Sequence, residues 1–402
     1  MHLSLLSASL LAAPLAAALP AVLPAPLLAA RASNDSSPYD TKPLVPAVKL
    51  GAGADPSTAS RNRTIGHFPR PAEFVEKPTY ATFSAFDYQS IALGVHQEYI
   101  ELDYFSNGLA RFTDAQLAEA GLDAELKSLI EFFAKQEVGH ALVLSNMLGE
   151  SAPKPCNYKY PFSTPRQFID VNVDITRFGE DGVLGFLPSL DNRAVAQILL
   201  QSITTESRQQ LQFRQLLGLP SMVESFETGL PQTWAWTLLS EYIESCPASN
   251  APVQWDIYPQ LRIGNDPNQT ALTSGPAIYT NVTALSAPGR SIELSWDEPG
   301  KTAGPYNQTT YKPANGTAKY AAFVSQYNVT YVPLADLDGS SSNKSATATQ
   351  PGGIVLPQLT TTEIFNNTIY IAITDDNPFL TPLNLSLINA HVVAGPALYH
   401  SG

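Results

Sequence analysis

Several side chains of metal-binding type stand where a hydrophobic residue is expected. Glu98, Glu137, His140, Glu180 and Glu206 each interrupt an apolar helical stripe, and Gln209 follows Glu206 by one helical turn. Glu137-Val138-Gly139-His140 is a Glu-x-x-His motif, which stacks carboxylate and imidazole on one helix face. A carboxylate buried without a partner costs several kcal/mol, so four of them converging on one core need compensation. The basic residues nearby, Lys135, Arg177 and Arg208, fall off the stripes. One or two divalent cations would neutralise the cluster. Mostly oxygen donors with one imidazole favour Fe or Mn, in a mononuclear or dinuclear site, with Zn as an alternative. An open position on such an ion binds dioxygen or peroxide, which points to oxidative, ferroxidase-like or peroxide-decomposing chemistry.

The elements that must carry these residues are helices. The first is expected from Ser84 to Leu109, with the stripe Ile91, Val95, Leu102, Phe105 and Leu109 and Glu98 in its gap. The second runs from an N-cap at Asp123 to Leu148, its stripe of Leu126, Ile130, Phe133, Leu144 and Met147 broken by Glu137 and His140. Thr164-Pro165 starts the third, with Pro at the first helical position and Glu180 in the stripe of Ile169, Val173, Thr176, Val183 and Leu187. The fourth begins after Asp191, and Glu206 and Gln209 interrupt Val195, Leu199, Ser202, Phe213 and Leu216. A fifth, Gln232 to Glu244, carries Trp234 and Trp236, has no such gap, and should pack across the bundle.

The di-iron and di-manganese bundle recipe is a Glu from each of two helices and Glu-x-x-His from each of the other two. The order Glu98, Glu137 with His140, Glu180, Glu206 with Gln209 meets it at every position but the last. In that scheme Glu137 and Glu206 bridge, Glu98 and Glu180 are terminal, and His140 completes one ion. Gln209 replaces the second His, and an amide oxygen is a weaker donor than imidazole. Glu101 and Tyr104 are alternatives on the first helix; Glu101 lies off the stripe and ranks second. His96 points about 160° away from Glu98 at ~100° per residue and reads as structural.

Through these stretches, and through Trp234 to Pro247, the chain resembles the ferritin-like family of plant desiccation-related and secreted fungal stress-response proteins. The stretches are Gln97–Glu101, Lys135–His140, Glu180–Val183 and Thr205–Gln209. The resemblance implies an all-α ferritin-like four-helix bundle with a dinuclear metal site. It implies little about the C-terminal half.

The whole chain divides by texture. Residues 1–30, rich in Leu, Ala and Pro and free of charge, read as a signal peptide region, with prolines that argue against a membrane span. Residues 31–80 form a Pro/Ser-rich arm or linker, 81–247 the helical domain, and 248–402 a mainly β, sandwich-like domain. Its strand-like runs include Ser291–Trp296, Lys319–Tyr331 and Thr368–Thr374. The net charge of −13 argues against a phosphate-binding surface, so neither a nucleic acid partner nor a transmembrane anchor is expected.

Secretion, to the extracellular space or the cell wall, is expected from two further features. Cys156 and Cys246, in loop signals beside Pro155 and Pro247, are the only cysteines and should form one disulfide. Ten sequons occur, at Asn34, Asn62, Asn268, Asn281, Asn307, Asn315, Asn328, Asn343, Asn366 and Asn384, and none lies among the helices. Trp255, Tyr258, Tyr306, Tyr320, Tyr327 and Tyr331 could stack on cell-wall polysaccharide, although core packing is the commoner use of such rings. His67, His391 and His400 read as surface residues.

Overall fold

The computed structural model describes residues 80–221, 224, 226–267, 284–313, 316–326, 328–339, 343–352, 368–381 and 383–402, all within one compact unit spanning Thr41–Gly402. The signal-peptide and arm readings, His67, Tyr327, Asn34, Asn62, Asn268, Asn281, Asn315 and Asn366 lie outside the described residues.

Six α-helices form among the described residues: α1 (Ala85–Arg111), α2 (Asp114–Glu119), α3 (Ala124–Leu148), α4 (Pro165–Phe186), α5 (Arg193–Leu217) and α6 (Gln232–Ser240). The start signals work through their side chains. Ser84 accepts from the Asp87 amide, Asp123 from Glu125 and Leu126, Thr164 from Gln167, and Asn192 from Ala194 and Val195, each satisfying donors that the first turn leaves orphaned. α1 packs on α3 and α4 on α5, and α6 lies across α1 and α4. α1 is therefore covered on nearly every side.

The fifth predicted helix stops at Ser240 rather than Glu244. Ile243–Ser245 leaves as strand β2, which pairs antiparallel with β1 (Asn157–Tyr158). Beside this two-stranded clip lies the Cys156–Cys246 disulfide, closing a sequence separation of 90. A loop of that length is worth about 4–5 kcal/mol in the chain-entropy model. The Cys156→Ala/Cys246→Ala double variant should lose stability of that order, read as a fall in its denaturation midpoint.

Ten further strands follow among the described residues: β3 (Leu261–Ile263), β4 (Ser291–Asp297), β5 (Thr302–Ala303), β6 (Gln308–Thr309), β7 (Tyr320–Ser325), β8 (Asn328–Pro333), β9 (Ala335–Asp338), β10 (Asn343–Thr349), β11 (Thr368–Thr374) and β12 (Val392–His400). The single run expected at Lys319–Tyr331 is in fact a hairpin, β7 and β8, turning where Gln326 takes φ 49°. Two four-stranded sheets result, ordered β3-β4-β10-β9 and β12-β11-β7-β8. Every residue of β11 is buried. Ile369, Ile371 and Ile373 face the other sheet, while Tyr370 and Ala372 join the helical core. The strand reads as unbroken apolar sequence because the sheet is covered on both faces, by helices and by the second sheet.

The aromatic residues of this region mostly serve packing. Tyr258 is buried, Trp255 meets Phe86 edge-on, and Tyr306 stacks on Trp236 and bonds His96 Nε2 at 3.2 Å. Burial lowers the His96 pKa to about 4, which keeps the ring neutral. No helix among the described residues is long and apolar enough to cross a membrane.

His400 is not a surface residue. It is buried, with Nε2 at 2.7 Å from Asp174 of α4 and Nδ1 at 2.6 Å from Asp266. Burial alone would lower its pKa, but Asp174 and Asp266 outweigh that and hold it well above the ordinary imidazole value. A group with a raised folded pKa stabilises fully below its unfolded value, about 6.5, and loses that contribution as pH rises through the folded pKa. The stability advantage of wild type over His400→Gln should therefore be largest at mildly acidic pH and shrink in alkali. Paired urea titrations across pH would measure it.

Candidate metal centre

Three helices deliver four donors to one point. Glu98 of α1, Glu137 and His140 of α3, and Glu206 of α5 place ligand atoms all within 4.8 Å of one another. His140 Nδ1 lies 2.9 Å from Glu137 Oε2, 3.3 Å from Glu98 Oε2 and 3.4 Å from Glu206 Oε1. The three carboxylates are buried; the imidazole is 12% exposed.

The imidazole has a fixed orientation. Its Nε2 sits 3.1 Å from the Thr205 hydroxyl, which itself donates to the Ser202 carbonyl at 2.7 Å. That hydroxyl oxygen is then free only to accept, so Nε2 carries a proton. Nδ1 is left as the nitrogen that faces the three carboxylates, with the hydroxyl partner of Nε2 setting the tautomer. With no cation, the bonds between Nδ1 and the carboxylates need a further proton, held by the imidazole or by a carboxyl. Burial lowers the His140 pKa, but Glu137 and Glu98 prevail and raise it well above the ordinary value.

One imidazolium does not balance the site. Burial lifts Glu98 to about 7 despite the opposing pull of His140. Burial and repulsion from Glu98 lift Glu206 well above the carboxylate range. Without a cation these groups are held near neutrality only by taking up protons.

Glu180 and Gln209 adjoin the four rather than joining them. Glu180 accepts from the Ser207 hydroxyl through Oε1, leaves Oε2 without a hydrogen bond, and is raised to about 8, chiefly by burial. Gln209 donates from Nε2 to Glu137 Oε1 at 2.6 Å, so its amide holds Glu137 in place while its buried Oε1 bonds nothing.

Two residues carry more than their sequence positions suggested. Glu101 is completely buried, with neither oxygen hydrogen-bonded at normal geometry; the neighbouring Gln97 amide, which donates to the Ile175 carbonyl at 3.1 Å, offsets its charge only in part. Burial, then Glu206, Glu137 and Glu98, raise its pKa. Its signal is Glu98-x-x-Glu101, the same one-turn spacing as Glu137-x-x-His140, but a stripe drawn on one face of α1 places it second. Arg177, also off its stripe, is buried and paired with Glu224 at 2.9 Å and with Glu227.

The residues fit a cation. Three carboxylates and an imidazole nitrogen converge, and the buried acceptors of Glu101 and Gln209 beside them lack donors, which a positive ion would satisfy. The other His/Cys group, His96 with Cys156 and Cys246, has both sulfurs in the disulfide and offers no thiolate.

Comparison with known proteins agrees with this architecture. Residues 84–219 match the ferritin-like domain. Protein rds1 of Schizosaccharomyces pombe is 45% identical over 369 residues, covering 86% of this chain and 90% of rds1. An alignment of that length takes in strands as well as helices. The chain thus belongs to the ferritin-like family, in company with rds1.

Proposed function

We propose that this is a secreted, stress-related glycoprotein whose helical core holds one or two Fe or Mn ions and performs oxidative or peroxide chemistry. The observation that carries the reading is the convergence of Glu98, Glu137, His140 and Glu206 within 4.8 Å in a buried core. These four would hold the first ion, with Glu101 and Glu180 flanking it as donors to a second. Such an ion supplies Lewis acidity and one-electron chemistry toward dioxygen or peroxide. The chain's own part is to keep His140 Nδ1 available through Thr205, to orient Glu137 through Gln209, and to exclude bulk water from the carboxylates.

Elemental analysis of protein purified without chelator tests the reading. About one or two equivalents of Fe or Mn per chain are expected; protein free of both would count against it. A second reading, a glycoprotein with a degenerate or purely structural site, is favoured by one observation. Gln209 spends its amide on Glu137 where the bundle recipe has a second imidazole. Gln209→His should tighten Mn(II) binding by about tenfold or more, since imidazole is the better donor.

The disulfide supports an oxidising compartment. Asn307 is exposed at a turn between β5 and β6, and Asn328 and Asn384 are partly accessible, as glycan attachment requires. Site mapping of protein from a eukaryotic host should find glycans at Asn307; occupancy confined to Asn34 and Asn62 would contradict the exposed β region.

A further inference from the structure

The stretch between β11 and β12 turns apolar side chains both inward and outward. Leu380, Leu385 and Ile388 are buried in the helical core, and the Asn389 carbonyl accepts from the buried Tyr258 hydroxyl at 3.0 Å. With the backbone held from inside, Phe379, Leu383 and Leu387 face out, at 88%, 86% and 62% exposure. Leu383 also shares a surface cavity with Leu200 and Phe226, which are themselves exposed. No charged residue occurs in positions 379–388. Soluble proteins rarely leave large apolar side chains grouped in this way unless something covers them.

The chain supplies a cover at that spot. Asn384-Leu385-Ser386 is a sequon whose asparagine adjoins Leu383 and stands three residues before Leu387. Asn384 Oδ1 accepts from the Thr381 amide at 2.6 Å and from the Thr381 hydroxyl at 3.0 Å, and the Asn384 N–H donates to the Thr381 carbonyl at 3.1 Å. These bonds fold the loop back on itself and fix the side chain. They leave Nδ2, the atom that carries a glycan, unbonded to any described residue and open to solvent. Ser386 is exposed as well.

We infer that an N-glycan on Asn384 lies over Phe379, Leu383 and Leu387 and is the cover of this apolar patch. The inference rests on the glycoprotein reading and is independent of the metal centre. Attachment forms a bond from Nδ2 to C1 of the first sugar, as Nδ2 gives up a proton and a lipid pyrophosphate leaves the donor. A pyranose ring has C–H faces that pack on aromatic and aliphatic side chains, and hydroxyls that stay in water, so one occupant satisfies both the patch and the solvent. A glycan rooted beside Leu383 also bars a flat protein surface, such as a second copy of the chain, from seating there. Without it the patch is open to apolar ligands.

The test compares full-length wild type, Ser386→Ala and Ser386→Thr from one glycosylating eukaryotic host. Ser386→Ala destroys the sequon but keeps Asn384 and its bonds to Thr381, whereas Ser386→Thr preserves the sequon. Peptide mapping should find Asn384 occupied in wild type and Ser386→Thr and bare in Ser386→Ala. Ser386→Ala should bind Nile red, a neutral apolar dye, at least about tenfold more tightly than wild type, with Ser386→Thr matching wild type. Adding Phe379→Ser and Leu383→Ser to Ser386→Ala should abolish the gain. Thr309→Ala, which removes the sequon of Asn307 at the turn between β5 and β6, should produce none. An Asn384 unoccupied in wild type would overturn the inference together with the glycoprotein reading at this site. An occupied Asn384 with no gain in Ser386→Ala, a gain that survives the two serines, or an equal gain in Thr309→Ala would overturn the inference and leave that reading standing.

Discussion

Arg177→Met should destabilise the protein by about 3–5 kcal/mol, the cost of leaving buried carboxylates without their cation. Arg177 is 4% exposed and serves Glu224 at 2.9 Å, Glu227, and more distantly Asp181 at 4.0 Å. Asp181 is wholly buried and its other oxygen accepts from the Tyr370 hydroxyl at 2.7 Å, so the network links α4 to β11. Methionine fills similar volume but supplies no charge. Burial already raises Asp181 and Glu180 against the pull of Arg177, and its loss raises them further. A carboxyl whose folded pKa is raised binds protons more tightly folded than unfolded, so acid favours the fold. The deficit of Arg177→Met should accordingly shrink from pH 8 to pH 5 in urea titrations. The exposed pair Arg262–Asp297, at 2.9 Å with Arg262 45% exposed, offers the contrast. Arg262→Ala should cost no more than about 1 kcal/mol.

Local chemistry explains why the helices were readable before the fold. Asp123, Thr164-Pro165 and the stripes of α3 and α5 report directly on capping and on one buried face. The same one-face assumption ranks Glu101 second and leaves Arg177 off its stripe. α1 is enclosed by α3, α4 and α6, and a helix buried on nearly all sides has no polar face against which to judge a residue. The pairing of His400 with Asp174 spans 226 residues of sequence, which no short-range periodicity records. The Glu-x-x-His turn was legible because both its residues sit on one helix. The donation from Gln209 to Glu137 was not, since spacing gives a position without saying which end of an amide points inward.

Loading the site with metal should produce the other large effect. An ion bound only by the folded state stabilises it by about 2.7 kcal/mol when free ion exceeds the dissociation constant a hundredfold. Glu137→Ala removes a donor and the anchor of Gln209 together. Because loss of a mere supporting contact costs about 10–100-fold in affinity, loss of this ligand should exceed that and abolish tight binding. Glu101→Gln keeps the size of the side chain but not its charge, and should weaken only the second of two binding steps. Affinity should rise from pH 6 to pH 8, because the cation displaces protons from His140 Nδ1 and from Glu98 and Glu206, whose pKa values burial and charge hold high.

Calorimetric titration of Mn(II) into chelator-stripped protein, run side by side on wild type and Glu137→Ala, examines the buried cluster most directly. Saturable binding at about one or two ions per wild-type chain, lost in a Glu137→Ala protein that still melts cooperatively, is the predicted result. Heats no greater than buffer dilution in wild type, or unchanged binding in the variant, would contradict a metal centre built from Glu98, Glu137, His140 and Glu206.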